Sequence, residues 1–161
     1  IRSAKEGGRF FINEKERLGL FRELTPFSDF VDVELGSSGI IKEVTRIAKR
    51  FRKKTIVSYH NFKLTPDEKT LLRIAKKARK AGASIVKIAA FVKKRGDLRT
   101  LLSVLLKEKS SIVIGIGKKG AASRVFFPLI GSLVTYGSID VLTAPGQMSL
   151  KELKGLISRF E

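Results

Sequence analysis

From Asn13 onward the chain alternates segments of helical period with short apolar segments of strand composition, joined by only a few residues each time. Asn13-Glu14-Lys15-Glu16 sets an acidic residue three positions after a capping residue and opens a helix reaching about Leu24, which Pro26 closes. Residues 30–35 read as a strand, 36–39 as a turn, and 40–51 as a helix with Ile41, Val44 and Ile47 on one face. A strand over 55–60 follows. Thr65-Pro66-Asp67-Glu68 then predicts a helix start, with Thr65 as cap and Pro66 in the first helical position. The pattern continues with strand 83–90, helix 97–107, strand 111–115, helix 121–130, strand 133–136 and a terminal helix capped by Ser149 that reaches Phe160.

Strands alternating with helices over short connections require a parallel sheet of βα units, so the expected class is α/β in a single domain, residues 1–161. An open doubly wound sheet and a (β/α) barrel both satisfy the pattern, and both place ligands at the carboxyl ends of the strands. No cysteine is present, which excludes disulfide and thiolate chemistry and suits a reducing compartment. No apolar run is long enough to span a bilayer, and no signal-peptide pattern opens the chain, so a soluble cytoplasmic protein without membrane contact is expected. The net charge of +18 first suggests nucleic acid. The cations are dispersed over helix faces without any nucleic-acid module, however, so no nucleic-acid partner is expected. A positive field serves equally to attract a small anion.

One residue breaks the apolar pattern. Lys87 interrupts Ala83-Ser84-Ile85-Val86-Lys87-Ile88-Ala89-Ala90, where an ammonium is costly unless it is paired or loses its proton. A desolvated amine is the nucleophile of Schiff-base chemistry, whereas an outward-facing lysine on an edge strand is the bland alternative. His60, the single histidine, lies at the carboxyl end of the preceding strand, where it serves either as a general acid–base or as an ordinary loop histidine. Glu34 ends the strand before that and reads either as a supporting carboxylate or as an internal hydrogen-bond acceptor. One histidine and no cysteine give little support for a metal site. Gly115-Ile116-Gly117-Lys118-Lys119-Gly120 spells the dinucleotide fingerprint between a strand and a helix, with Asp140 about twenty residues on. Its alternative is a flexible loop above the strand ends, suited to closing over substrate.

The same segments taken together resemble type I 3-dehydroquinate dehydratase. The matching residues run in order through the chain: Arg2-Ser3-Ala4-Lys5-Glu6-Gly7-Gly8, Asp32-Val33-Glu34-Leu35, Ser58-Tyr59-His60-Asn61-Phe62, Val86-Lys87-Ile88-Ala89, Ser123-Arg124, Gly131-Ser132 and Ala144-Pro145-Gly146-Gln147. The resemblance implies a cofactor-free lyase that dehydrates 3-dehydroquinate to 3-dehydroshikimate in the shikimate pathway of aromatic amino acid biosynthesis. Lys87 would form the imine, His60 would shuttle protons and Glu6 would orient the histidine. Arg124 would pair with the substrate carboxylate, with Arg2, Thr143 and Gln147 adding hydrogen bonds. Thr143 stands where serine is common in the family, and Asn61 where aspartate is common. A homodimer is also implied.

The implied fold is a (β/α)8 TIM-type barrel, and Ile1 would fall on the tail of its third strand. The first two βα units and most of a third strand are therefore expected to be absent from this chain, including an early strand whose acidic residue and arginine bind substrate. The competing readings are a class I aldolase-type enzyme using the same amine on another carbonyl compound, and a dinucleotide-binding protein using the 115–120 loop.

Overall fold

The computed structural model describes residues 1–3, 6–8, 12–141 and 144–160. Four strands, β1 (Phe30–Glu34), β2 (Lys54–Asn61), β3 (Ile85–Phe91) and β4 (Ser111–Ile116), form one parallel sheet in the order β1-β2-β3-β4. Six helices are described: α1 (Glu14–Leu24), α2 (Ile41–Arg50), α3 (Glu68–Lys80), α4 (Arg95–Lys107), α5 (Ser123–Leu129) and α6 (Leu150–Ile157). Sequential strands are therefore neighbours, each joined to the next by a helix, as the alternation predicts. Among the described residues no helix is long and apolar enough to cross a membrane.

The residues group into two compact units, Ile1–Tyr59 with Arg73–Lys87, and His60–Leu72 with Ile88–Glu161. In the first unit the Asn13 capping box forms in full: Asn13 Oδ1 accepts from the Glu16 amide at 2.9 Å, and Glu16 Oε2 accepts from the Asn13 amide at 3.0 Å. Two of the donors that every helix start leaves without a partner are thereby satisfied. Val31 and Val33 on β1 are buried, and Val33 lies in register with Val57 of β2. Ile41, Val44, Ile47 and Ala48 form the buried stripe of α2, while its lysines and arginines stay in water.

In the second unit every residue of β4 is buried, consistent with a strand covered on both faces. Leu101, Val104 and Leu105 are the buried face of α4. Two local expectations need correction. The cap of α3 is Asp67, whose Oδ1 accepts from the Thr70 amide at 2.8 Å; the Thr65 hydroxyl donates instead to the Phe91 carbonyl at 2.9 Å. The segment 133–136 is not a strand. Leu133 donates one backbone hydrogen bond to Ser111, but the Val113 amide is taken by the Ser132 hydroxyl at 3.1 Å, so a side chain replaces the ladder. β-Branched composition alone cannot sustain a strand whose partner groups are already used.

A buried ion pair organises the first unit. Arg17, 1% exposed, donates to Glu34 Oε2 at 2.5 Å, to Glu14 at 2.5 Å, to the Ser37 hydroxyl at 3.0 Å and to the Ile1 carbonyl at 2.9 Å. Burial works to lower the Arg17 pKa, but the hydrogen bonds and charges of Glu14 and Glu34 outweigh it and hold the group above its ordinary value. Glu34 also accepts from the Ser3 amide at 2.7 Å and the Ser37 hydroxyl at 3.1 Å. Removing one partner leaves a buried charge uncompensated. Arg17→Met is expected to lower the unfolding free energy by about 3–5 kcal/mol in urea denaturation, with much of the loss recovered by Arg17→Met/Glu34→Leu. A single mutant as stable as the parent would show that the pair is not the organising contact.

Candidate active site

Lys87 sits in the middle of β3 and is 4% exposed. Its Nζ lies 2.7 Å from Asp32 Oδ2, and Asp32 Oδ1 accepts from the Ser58 hydroxyl at 2.6 Å. The amine is thus buried, as its apolar neighbours require, and the cost of burial is met by a carboxylate. The outward-facing alternative is ruled out. Asp32 belongs to the site although its role was not read from the sequence. The signal was present, because Val31-Asp32-Val33-Glu34 places charge inside an apolar strand just as the Lys87 segment does.

Asp32 and Glu34 are two residues apart on β1 and project to one face of the strand. They serve different cations: Asp32 pairs with Lys87, whereas Glu34 is occupied by Arg17, Ser37 and the Ser3 amide. Glu34 is therefore an internal acceptor that ties down the start of the described chain. Glu6 lies in the same unit, lining a cavity of about 350 Å³ with Ser3, Asn13, Glu14 and Ser37. Its Oε1 is 3.1 Å from where a Cβ on Gly36 would stand, so the carboxylate rests against that glycine. Arg2 is exposed.

The second unit holds the remaining sequence-predicted residues. His60 is half-buried at the carboxyl end of β2, its ring stacked on Phe62 with centroids 6.3 Å apart and planes at 11°. Arg124, the second residue of α5, is 3% exposed. It donates to the Tyr136 carbonyl at 3.3 Å, while its buried Nε has no hydrogen-bond partner among the described residues. Burial pushes the Arg124 pKa down, the direction expected for a guanidinium short of a counter-charge. A planar fork left in this condition is suited to accept a carboxylate. Gln147 is half-buried in the turn after Gly146, and Thr143 lies outside the described residues.

The glycines of the 115–120 loop are used for internal packing. A Cβ on Gly120 would stand 2.4 Å from the Gly115 carbonyl carbon, and one on Gly115 would stand 2.9 Å from Gly120 Cα. The Ser123 hydroxyl closes the loop, accepting from the Gly115 amide at 2.8 Å and donating to the Gly120 carbonyl at 2.6 Å. The Gly117 amide donates to the Pro145 carbonyl at 2.9 Å, and a Cβ on Gly146 would lie 2.2 Å from Gly117 O. The dinucleotide fingerprint needs these amides turned toward a pyrophosphate at the start of a helix. Here the loop instead forms a short 3-10 turn, Lys118–Gly120, and packs on itself.

A family model for type I 3-dehydroquinase matches residues 1–159. The chain belongs to the type I 3-dehydroquinase family. It is 38% identical to the 3-dehydroquinate dehydratase of Aquifex aeolicus over 161 residues, covering 99% of this chain and 72% of the relative. It is 39% identical to that of Methanothermobacter thermautotrophicus over 160 residues, covering 70% of the relative. The fold is similar to the crystal structure of 3-dehydroquinate dehydratase from Geobacillus kaustophilus, with a TM-score of 0.91 and 32% identity, covering 99% of this chain and 65% of that one. The A. aeolicus structure gives a TM-score of 0.87. The chain therefore carries the parallel α/β fold of the TIM-barrel type and spans 65% of the first of these structures.

In this family member Gly115 and Gly120 should tolerate no side chain. Gly120→Ala is expected to destabilise the protein by about 1–3 kcal/mol, as overpacking does. Gly155→Ala, in α6 with open space around the added Cβ, should instead stabilise it by about 0.5–1 kcal/mol. Thermal or urea unfolding of both variants checks the contrast.

Proposed function

We propose that the chain carries out the Schiff-base dehydration of 3-dehydroquinate to 3-dehydroshikimate. The observation that carries this reading is the buried Lys87 amine paired with Asp32 on a strand of a type I 3-dehydroquinase fold. Attack of the unprotonated Nζ on the substrate ketone gives a carbinolamine, and loss of water gives the imine. The imine withdraws electrons from the adjacent carbon and acidifies its proton. Loss of that proton, then of the neighbouring hydroxyl as water, leaves the conjugated product still bound to Lys87, and a second water hydrolyses it free.

His60 takes the role of proton shuttle in this scheme, with Glu6 as its orienting carboxylate. Arg124 takes the substrate carboxylate; its buried, incompletely partnered guanidinium supports this assignment. Arg2, Thr143 and Gln147 supply further hydrogen bonds. Asp32, anchored by Ser58, holds the amine in place through its hydrogen bond. No cofactor enters the scheme. A homodimer working in the cytoplasm is consistent with the same family reading, and sedimentation of the purified chain would test the dimer.

Sodium borohydride added with 3-dehydroquinate should reduce the imine and fix a stable mass increment on the peptide containing Lys87. Lys87→Ala should abolish that increment. His60→Ala should slow turnover by about 10²–10⁴-fold while leaving some trapped adduct. Arg124→Lys should raise KM by about tenfold or more, because a charge-assisted fork is worth roughly 1.5–3 kcal/mol. Failure to trap any adduct on Lys87 would end the Schiff-base reading, and normal turnover by His60→Ala would remove the histidine from its role.

A further inference from the structure

Helix α2 presents an uneven charge pattern that the proposed reaction does not use. Lys42, Arg46 and Lys49 on the helix, with Arg52 and Lys53 in the turn leading to β2, line one open groove of about 460 Å³. Among the described residues no carboxylate lines it. The groove lies where β2 and β3 begin, bordered by Thr55 and Ser84, and so at the opposite end of these strands from their carboxyl termini. Arg46 is held by both oxygens of Glu43, at 2.7 and 2.8 Å. Lys42, Lys49, Arg52 and Lys53 make no ion pair with any acid among the described residues.

Ordinary helix requirements do not account for this cluster. Lys49 in the last turn complements the helix dipole, but Lys42, in the first turn, opposes it. Arg52 adopts φ +55°, the left-handed conformation that a helix's C-terminal flank usually gives to glycine. A guanidinium is thus kept where glycine would be less strained. On the other wall, Gly82 at φ +101° would bring an added Cβ to 3.2 Å from Thr45 Cβ, so the turn before β3 closes tightly on the helix and gives the groove a firm side.

We propose that this groove is a binding site for a short polyphosphate. Four uncompensated cations repel one another and are relieved together by a single multivalent anion. Lys42 and Lys49 are seven residues apart, or about 10 Å along the helix at 1.5 Å per residue, so the cations are strung along the groove and a linear chain of two or three phosphates meets them with more of its oxygens than one phosphate does. The site is separate in sequence and position from Lys87 and Asp32, and it does not depend on the assigned reaction.

Titration calorimetry of the chain with inorganic triphosphate at low ionic strength tests the proposal. Saturable binding is expected, with orthophosphate weaker by about tenfold or more. The pair Lys49→Glu/Arg52→Glu should weaken triphosphate by at least about tenfold. Lys151→Glu/Lys154→Glu, an equal charge change on α6, should weaken it far less, because neither lysine lines the groove. Lys42→Gln/Lys49→Gln provides a milder pair should the charge reversal fail to fold, and should also weaken binding. Absence of binding, equal affinity for orthophosphate, or equal losses from the α2 and α6 pairs would overturn the site, the last by assigning the effect to net charge alone. Borohydride trapping on Lys87 should be unchanged in both groove variants.

Discussion

Charge carried into the apolar strands is the constraint on which the first unit depends. A parallel sheet is covered on its faces, so each ionised side chain along it must find a partner or surrender its charge. Three such residues are withdrawn from full exposure there: Asp32 and Glu34 on β1, and Lys87 on β3. Glu34 takes Arg17 and Asp32 takes Lys87, giving two separate ion pairs from two carboxylates on one strand face. The two pairs have different surroundings. Both members of the Arg17–Glu34 pair are almost wholly buried, whereas the Asp32 side chain is 33% exposed beside a Lys87 side chain that is 5% exposed. The Arg17–Glu34 pair is sealed from water, whereas the Lys87–Asp32 pair keeps its carboxylate partly open to it.

The second unit solves the opposite problem, that of a cation with too few acceptors. Among the described residues Arg124 has one carbonyl partner, and its Nε has none. Leaving a buried donor unmade is expensive, so such a group in a native fold calls for a specific cause such as strain, a catalytic role or a bound water or ion. The same unit spends its glycines on close packing. Gly115, Gly117, Gly120 and Gly146 bring two loop segments together closely enough that the 115–120 loop is braced from beneath by Pro145 and from the side by Ser123. A braced loop is a poor pyrophosphate cradle, since its inward amides are already used.

Most of the fold was legible because periodicity and capping are local. The Asn13–Glu16 box, the α2 stripe and the largely apolar β4 each follow from residues within a few positions of one another. The misreadings were also local in origin. Thr65 looked like a cap until its hydroxyl was claimed by Phe91, 26 residues away, and 133–136 looked like a strand until Ser132 took the ladder amide of Val113. Competition for hydrogen-bond partners is decided by groups remote in sequence, which no local pattern records.

The site divides along the same line. By itself the sequence established that Lys87 is a charge inside a strand, that His60 ends the strand before it, and that seven motifs in order resemble one family of lyases. It could not say which carboxylate meets the amine, because Asp32 and Glu34 share a strand face and differ only in what approaches them. Nor could it say that Arg17 is buried, since nothing local to α1 marks its partner. Only the tertiary structure decided those pairings. The physical reason is that a strand's period assigns a side chain to a face, while the identity of its partner depends on elements brought to that face from elsewhere in the chain.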